Sequence, residues 1–174
     1  MAVDLRALIR EIPDFPQPGI GFKDITPVLA DPAGLDAAVK GLAALAPPDV
    51  DIVIGAEARG FQLGPALARE LEAGFVLARK PGKLPADTVR AEYALEYGTD
   101  ALELHTDAVA SGARVLVHDD LLATGGTAQT LCKLVEQLGG VVAGCGFLIE
   151  LAFLPGRERL DGYDVHALVA YDAE

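Results

Sequence analysis

The sequence predicts an α/β fold, an open and mainly parallel twisted sheet with helices on both faces. Short apolar segments typical of buried strands alternate along the chain with segments of helical periodicity. Hydrophobic residues make up 51% of the chain but aromatic residues only 6%, and Trp is absent. The core must therefore consist mainly of Ala, Val, Leu and Ile, which suits buried parallel strands. A chain of 174 residues is long enough for one domain with a sizeable core.

The N-terminal third begins with "AVDLRALIREIP", whose apolar spacing predicts a short amphipathic helix that stops at Pro13. The next segment, "DFPQPGIGFKDITPVLADP", contains four prolines and two glycines but is too apolar for a solvated linker. We interpret it as an ordered loop packed on the domain, of the kind that often forms one wall of a site. A helix is predicted from Pro32 to about Ala46.

In the middle of the chain, "DIVIGAEARGF" predicts a buried strand that ends at Gly55 and leads into a helix through Leu71. "GFVLARK" predicts a strand. The following "PGKLPADTVRAEY" has no apolar periodicity, and we expect it to be mobile. The alternating segments "YALEYG" and "ALELHT" around "TD" predict a hairpin.

The last third predicts a strand at "RVLVHDD", a helix at "GTAQTLCKLVEQLGG" with Gly139 as its C-cap, and strands at "VVAGCGFLIEL" and "DVHALVA". Ligands of open parallel sheets bind beyond the carboxyl ends of the strands. Two turns of the chain, "GAEARGF" and "DDLLATGGT", lie at such ends.

Charge and composition exclude several classes of function. A net charge of -12 opposes non-specific binding to nucleic acid or to an acidic membrane surface, although a local cluster of donors can still bind a small anion. No apolar run approaches the ~20 residues of a membrane span, so a cytoplasmic protein is expected. Cys132 and Cys145 have no metal-ligand spacing, and we expect both to be reduced core residues.

The segment "VLVHDDLLATGGTAQ" carries two acids beside a turn suited to bind an anion. The N–H groups of residues 124 to 127 converge at a predicted helix N-terminus, which is the geometry that binds phosphate. Asp119 and Asp120 would repel a bare phosphate, but carboxylates accept hydrogen bonds from a vicinal diol. A 5-phosphorylated ribose presents both groups. The alternative is that the two acids merely cap the helix or face solvent.

These residues resemble the phosphoribosyl-diphosphate signature of the type I phosphoribosyltransferases, in which apolar residues precede two acids and a T-G-G-T turn. "FPQPGIGFKDITPVLADP", "GAEARGF", "RKPGKLP" and "YALEYGTDALELH" look like the adenine branch of that family, in matching order across most of the chain. The resemblance implies one domain over residues 1–174, with an N-terminal helix and base-binding hood at 1–31 and a lid loop and hairpin at 79–98. It also implies the reaction of adenine with 5-phosphoribosyl 1-diphosphate to AMP and diphosphate, assisted by Mg²⁺.

The resemblance assigns roles to individual residues. Asp119 and Asp120 would hold the ribose hydroxyls, and the turn would hold the 5-phosphate through Ala123, Thr124, Gly125, Gly126 and Thr127. The diphosphate would be bound by Glu57, Ala58, Arg59, Arg79, Lys80 and Lys83, some of them from a neighbouring subunit in a homodimer. The family often has a non-proline cis peptide in the "GAEARGF" loop. Magnesium would be held mainly by substrate oxygens and water rather than by direct protein ligands.

The base site and the lid follow from the same resemblance. Phe22 would stack on one face of adenine and Leu122 on the other, while backbone groups around Gly21 and Lys23 read the edge of the base. Glu96 would protonate or orient the base as a catalytic residue beside Tyr97 of the lid, and Arg59 would stabilise the leaving group. From the residues alone, Phe22 is equally well a core residue, and Lys23 and Asp24 are equally well a surface pair.

His118 departs from the family, which usually has an apolar strand residue there, and we favour a structural role for it. Alternatives to the adenine reaction are a phosphoribosyltransferase for a 6-oxopurine or orotate, a regulatory protein that binds the sugar diphosphate as an effector, and a nucleotide-binding module without turnover. The "GIGFKDITP" hood discriminates between the bases, and the basic lid argues against the regulatory protein.

Overall fold

The computed structural model describes residues 3–94 and 99–173. The strands are β1 Arg10–Ile12, β2 Phe22–Asp24, β3 Ile52–Ala56, β4 Gly74–Ala78, β5 Thr88–Ala94, β6 Thr99–His105, β7 Arg114–Leu122, β8 Val141–Leu151 and β9 Val165–Tyr171. The helices are α1 Leu5–Leu8, α2 Thr26–Ala30, α3 Pro32–Leu45, α4 Gly60–Glu70, α5 Gly126–Gln137 and α6 Gly156–Arg159.

The central sheet has five strands in the order β4-β3-β7-β8-β9, and every neighbouring pair in it is parallel. Helices α3 and α4 pack on one face, around a core that includes Leu42, Leu63 and Leu67. Helix α5 and the antiparallel hairpin β5-β6 cover the other face, around Leu131, Leu134 and the hairpin's leucines. The predicted α/β class with a parallel sheet and helices on both faces is confirmed.

Local sequence signals explain where the main helices begin and end. Asp31 caps α3 by accepting a hydrogen bond from the amide of Gly34 at 2.7 Å, and Pro32 occupies the first helical position, where its missing N–H costs nothing. Beyond α5, Gly139 has a φ of +84°, a left-handed conformation that favours glycine. The predicted helix at Pro32 and the predicted cap at Gly139 are both confirmed.

The predicted N-terminal helix is wrong in its length. Only four residues, Leu5–Leu8, are helical, and the chain then becomes strand β1. Strand β1 pairs antiparallel with β2, with Arg10 opposite Asp24 and Ile12 opposite Phe22. The partner strand lies ten residues further along the chain, so local apolar spacing could not reveal the pairing.

The expectation of a mobile segment over residues 81–93 is wrong for its second half. Residues from Thr88 onward form β5, which pairs with β6 in a register that places Thr88 opposite His105. Val89, Ala91 and Tyr93 alternate with charged residues and pack on the core beneath. This alternation of period two is the signal that the sequence analysis overlooked. The predicted hairpin is present, but residues 95–98 of "YALEYG" lie outside the described residues.

The two cysteines are both free and fully buried, with their Sγ atoms 3.7 Å apart, as expected for reduced core residues. Among the described residues, no helix is long and apolar enough to cross a membrane.

Candidate active site

The two turns singled out in the sequence lie side by side in the structure. Strands β3 and β7 are parallel neighbours, with Gly55 opposite His118, so the residues that follow them emerge at the same edge of the sheet. Arg59 donates a hydrogen bond from Nε to Oδ2 of Asp120 at 2.7 Å, and its Nη2 forms an ion pair with the same oxygen at 2.7 Å. The side chain of Asp120 is only 3% exposed, so its charge is balanced almost entirely by this guanidinium.

The two adjacent acids line different cavities. Asp119 lines a cavity of about 90 Å³ together with the turn of residues 123–127, which we call the phosphate turn. Asp120 instead lines a cavity of about 270 Å³ formed with the N-terminal segment. Successive residues of a strand point to opposite faces of the sheet, which accounts for the separation. We call these the phosphate cavity and the hood cavity.

The phosphate cavity is built from the turn between β7 and α5. Its walls include all five residues predicted to hold a phosphate, namely Ala123, Thr124, Gly125, Gly126 and Thr127. Gly125 has a φ of +80° at the N-cap of α5, which directs the first amides of a twelve-residue helix at the cavity. The turn therefore has the backbone geometry of an anion site.

Helix α6, which the sequence analysis did not predict, packs behind this turn. A Cβ on Gly125 would lie 2.7 Å from the carbonyl oxygen of Gly156, and a Cβ on Gly156 would lie 2.2 Å from that of Ala123. The two backbones thus approach as closely as glycine allows. A helix of four residues with one polar face gives almost no periodic signal in a sequence.

Asp119 is costly to ionise in the free protein. Burial raises the pKa of its carboxyl well above the usual range, and the nearby charge of Asp120 raises it further. Within the chain, Oδ1 of Asp119 accepts a hydrogen bond from the amide of Asp120 at 2.9 Å. A ligand hydroxyl donating to Asp119 would stabilise the carboxylate form.

Glu57 binds the basic segment that follows β4, namely residues 79–83 with Arg79, Lys80 and Lys83. Arg79 donates from Nε to Oε2 of Glu57, and the backbone amide of Lys80 donates to the same oxygen at 3.1 Å. Burial opposes ionisation of Glu57, but these hydrogen bonds outweigh it and hold the pKa of the carboxyl below its usual value. The peptide bond between Glu57 and Ala58 is cis, a feature that the resemblance implied.

Of the remaining residues predicted for the lid, Lys80 and Lys83 belong to the part of the chain that the structure describes. Lys83 is exposed, and its charge acts on Glu57. Lys80 pairs through Nζ with Asp100 of β6, a partner that the sequence analysis did not identify. Glu96 and Tyr97 lie outside the described residues.

The hood cavity contains the predicted stacking residue. Phe22 lines it and makes an edge-to-face contact with Phe15, with ring centroids 5.0 Å apart. The guanidinium carbon of Arg59 lies 5.0 Å from the centroid of the Phe22 ring. Phe15, which the sequence analysis did not select, stands seven positions before Phe22 in the same proline-rich loop.

Lys23 and Asp24 are not a surface pair, so that alternative is wrong. Lys23 is 5% exposed, and its Nζ lies 3.2 Å from Glu11 and 4.2 Å from the centroid of the Tyr171 ring. Asp24 instead accepts from the amide and the hydroxyl of Thr26. The predicted edge-reading backbone around Lys23 therefore belongs to a fixed segment.

Two other predicted base-site residues stand apart from Phe22. Leu122 is buried and lines the phosphate cavity, not the hood cavity. Gly21 is exposed and is not part of either cavity wall. Phe22 and Leu122 thus line different cavities, and their joint contact with a base stays a prediction.

His118 lies inside the sheet. It is fully buried, its Nδ1 is 2.9 Å from the carbonyl oxygen of Gly146, and its Nε2 has no partner among the described residues. Burial lowers the pKa of the imidazole to about 4. A neutral histidine held by the neighbouring strand supports the structural role favoured from the sequence.

No cluster of three or more His, Cys, Asp or Glu side chains suited to hold a metal occurs in residues 3–94 and 99–173. The carboxylate of Asp119 lines the phosphate cavity, and that of the adjacent Asp120 is already held by Arg59. Oxygen ligands of this kind suit Mg²⁺, which commonly keeps several waters and binds through substrate phosphates.

Comparison with known proteins identifies relatives along nearly the whole chain. The family model described as a phosphoribosyl transferase domain matches residues 33–166. The adenine phosphoribosyltransferase of Solibacter usitatus is 58% identical over 170 residues, which is 97% of this chain and 98% of that relative. The corresponding protein of Rubrobacter xylanophilus is 59% identical, over 96% of this chain and 91% of that relative.

Solved structures agree with the sequence relatives. The adenine phosphoribosyltransferase of Thermoanaerobacter pseudethanolicus superposes with a TM-score of 0.93 at 54% identity, over 96% of this chain and 98% of that one. The enzyme of Giardia lamblia, solved in complex with 9-deazaadenine, gives a TM-score of 0.90 at 38% identity, over 97% and 96% of the two chains.

Proposed function

The chain belongs to the phosphoribosyl transferase family and, within it, to the adenine phosphoribosyltransferases, and from that premise we propose how its residues perform the reaction. It transfers the 5-phosphoribosyl group of 5-phosphoribosyl 1-diphosphate to adenine and so makes AMP and diphosphate. This is a pentosyl transfer of purine salvage. The substrates are small molecules, and neither nucleic acid nor a membrane is a proposed partner.

One observation carries the assignment of the sugar site: Asp119 lines the same cavity as the five residues of the phosphate turn. A phosphate bound by the amides of Thr124 to Thr127 would leave the ribose ring directed toward the end of β7. Asp119, whose carboxyl lacks a strong donor in the free chain, would accept hydrogen bonds from a ribose hydroxyl there. Asp120, held by Arg59, would complete the contact with the diol.

The leaving diphosphate would meet the cations at the ends of β3 and β4. Glu57 holds the side chain of Arg79 and the backbone amide of Lys80, so the guanidinium of Arg79 and the main chain at Lys80 are already fixed at this end of the sheet. Arg59 lines the hood cavity together with Asp120. As the bond from C1 to the diphosphate oxygen breaks and the bond from C1 to N9 of adenine forms, negative charge gathers on the leaving group. Preorganised cations stabilise that charge, which is usually the largest contribution of such a site.

Adenine would enter the hood cavity, whose walls are mainly apolar and whose volume is about 270 Å³. Phe22 would stack on the base, and backbone groups of residues 21 to 23 would read its edge. Leu122 would approach the opposite face when the sugar is bound. Glu96 would protonate or orient the purine ring, with Tyr97 beside it, in the lid that closes over the site and excludes water.

Magnesium is the cofactor that we propose, held by oxygens of the sugar diphosphate and by water near Asp119 and Asp120. When bound, it would neutralise part of the diphosphate charge. We also propose a homodimer, a cytoplasmic location, and a single domain over residues 1–174 with the hood at 1–31 and the lid at 79–98. The resemblance of the sequence to the family supports these proposals.

The test is a panel of bases with the purified protein, Mg²⁺ and the sugar diphosphate. Adenine should be converted to AMP, while hypoxanthine, guanine and orotate should react at least 100-fold more slowly, since a site built around specific hydrogen bonds rejects analogues by about that factor or more. Comparable rates with a 6-oxopurine would overturn the base assignment. Binding of the sugar diphosphate without turnover of any base would overturn the enzymatic function.

Phe22→Leu provides a matched test of the hood. It keeps an apolar side chain but removes the aromatic face, so the KM for adenine should rise while the KM for the sugar diphosphate stays unchanged. The control Phe153→Leu changes an exposed phenylalanine outside both cavities and should leave both constants unaltered. Equal effects of the two variants would refute the stacking role.

A further inference from the structure

Asp100 connects the basic segment to the phosphate turn. Its Oδ2 pairs with Nζ of Lys80 and accepts a hydrogen bond from the hydroxyl of Tyr93 at 3.1 Å, and its Oδ1 accepts from the amide of Ala101 at 2.9 Å. Both oxygens are thus engaged by the chain, although the side chain is 20% exposed. No local sequence pattern pointed to this residue.

Tyr93 reaches the phosphate turn from the other side. Its ring packs on the core beneath the hairpin, and a Cβ added to Gly126 would lie 3.6 Å from the ring. The hydroxyl of Tyr93 also lies beside Thr127. Lys80, Asp100 and Tyr93 therefore form a continuous chain of contacts that ends at the N-terminus of α5.

We propose that Asp100 is a positioning residue that holds the ammonium group of Lys80 and the hydroxyl of Tyr93 against the phosphate turn, so that Lys80 is placed for the diphosphate of the sugar substrate. The proposal rests on the proposed function of the site. Lys80 has three N–H donors and its Nζ has one partner among the described residues, so donors remain for a ligand. An unrestrained lysine would lose rotamer entropy when it bound the diphosphate, and Asp100 reduces that loss because it already restricts the side chain.

The charges in this cluster support the arrangement at neutral pH. The hydrogen bond from Lys80 lowers the pKa of Asp100, and the hydrogen bond to Asp100 raises the pKa of Lys80. Burial and the neighbouring carboxylate raise the pKa of Tyr93, which therefore remains a neutral donor. The carboxylate is balanced locally by a cation and two hydrogen bonds, so it adds little repulsion toward an incoming diphosphate.

The experiment compares Asp100→Asn with Glu92→Gln, which removes an exposed carboxylate paired with Arg90 on the same hairpin. Binding of the sugar diphosphate with Mg²⁺ is measured by calorimetry, and kcat and both KM values are measured with adenine. Asp100→Asn should raise the Kd and the KM for the sugar diphosphate about tenfold, as expected for loss of a charge-assisted hydrogen bond, and leave the KM for adenine unchanged. Glu92→Gln should match the wild type.

A second comparison tests whether Asp100 acts through Lys80. Lys80→Met should weaken binding by itself, and adding Asp100→Asn in that background should cause no further loss. Asp100→Glu keeps the charge and should recover part of the affinity, whereas Asp100→Ala takes the place of Asp100→Asn in both comparisons if the latter does not fold. Unchanged or tighter binding in Asp100→Asn, or in Asp100→Ala where it replaces that variant, would overturn the proposal, and so would an equal loss with and without Lys80. Because binding of the sugar diphosphate is measured directly, the result of this test can be distinguished from a failure of the bases to react.

Discussion

Arg59, at the N-cap of α4, and Asp120, in β7, are 61 residues apart in sequence, yet Nε of Arg59 donates a hydrogen bond to Oδ2 of Asp120 at 2.7 Å and Nη2 forms an ion pair with the same oxygen at 2.7 Å. The same guanidinium lies 5.0 Å from the centroid of the Phe22 ring. Arg59 is therefore fixed by the strand-end carboxylate on one side and by the hood on the other. Its position couples the part of the site assigned to the diphosphate with the part assigned to the base.

Arg59→Lys tests that coupling. Lysine keeps the positive charge but lacks the planar fork, so it cannot contact Asp120 through two nitrogens while lying over Phe22. We expect kcat/KM for the sugar diphosphate to fall about 100-fold, in line with the loss of one preorganised electrostatic contact. Arg69→Lys changes an exposed arginine in the last turn of α4, the helix that Arg59 caps, and this variant should behave as the wild type. Wild-type kinetics for Arg59→Lys would mean that charge alone suffices at this position.

The two adjacent acids should differ in their effects on stability. Burial and the charge of Asp120 raise the pKa of Asp119 in the folded protein, so above pH 3.8 the folded state holds a proton that the unfolded state releases. Stability due to this group is therefore lost as pH rises through the folded pKa. Asp119→Asn should increase the free energy of unfolding at pH 7, and the gain should vanish near pH 3. Thermal melts of the ligand-free protein measure it.

Asp120→Asn should instead destabilise the fold, by about 1 to 2 kcal/mol, because it breaks a pair in which one partner is buried and the other is partly exposed. Asp119→Asn and Asp120→Asn should each weaken binding of the sugar diphosphate, and the double variant should weaken it most. If the double variant bound with unaltered affinity, the assignment of the acids to the ribose hydroxyls would be refuted. A stability loss in Asp119→Asn would contradict the direction given for its pKa.

Gly125 and Gly126 form a matched pair within the phosphate turn. Alanine at 125 would adopt a φ of +80° and place its Cβ 2.7 Å from the backbone oxygen of Gly156. At 126 the nearest atom, at 3.2 Å, is the end of the flexible Arg159 side chain, which can move. We expect Gly125→Ala to cost about 2 kcal/mol or more in stability and to weaken binding of 5-phosphate ligands strongly, and Gly126→Ala to cost less than about 1 kcal/mol. Equal losses in thermal melts would contradict this reading of the turn.

The sequence predicted the parallel sheet, its main helices and the two strand-end turns because these depend on local periodicity and on short patterns such as "DDLLATGGT". It did not predict the pairing of β1 with β2 or the support of the turn by α6, which depend on partners outside each segment. The strand from Thr88 did carry a local signal, the alternation of apolar and charged residues, which was overlooked. Local signals specify an element; they do not specify which surface it will meet.

The same distinction holds within the site. Asp119 and Asp120 look equivalent in the sequence, yet the alternation of a strand directs them to different cavities. The ammonium of Lys80 and the carboxylate of Asp100 meet only because β4 and β6 lie side by side. Lys23 and Asp24 are the opposite case. Their adjacent opposite charges suggested a surface pair, but both residues are buried and each binds another residue.

Glu96→Gln tests the residue assigned to protonate or orient adenine. Glutamine keeps the size and hydrogen-bonding capacity of the side chain but removes its acid-base function, which typically contributes about 100-fold or more to rate. We expect kcat to fall by that order while the Kd of the sugar diphosphate, measured by calorimetry, changes less than about threefold. Glu158→Gln, an exposed residue of α6, serves as the control. Unchanged turnover would remove Glu96 from the mechanism.

His118 should make the fold sensitive to mild acid. Its pKa is about 4 in the folded protein because of burial and 6.5 when exposed, so between these values the unfolded state binds the extra proton. The stability due to this group is complete above pH 6.5 and is lost as pH falls toward 4, by about 3 kcal/mol in total.

His118→Asn tests this sensitivity because it does not titrate, while its amide N–H stands where Nδ1 meets the carbonyl of Gly146. Urea unfolding at pH 7 and at pH 4 should show the wild type losing about 3 kcal/mol more than the variant. Titration of the carboxylates lowers the free energy of unfolding equally in the wild type and the variant, so that loss cancels in the difference between them. His105→Gln, a half-buried histidine on the hairpin, should retain the acid sensitivity of the wild type. Parallel pH profiles for the wild type and His118→Asn would show that His118 has the same pKa in the folded and unfolded states, which would overturn the assignment of a buried imidazole that stays neutral below pH 6.5.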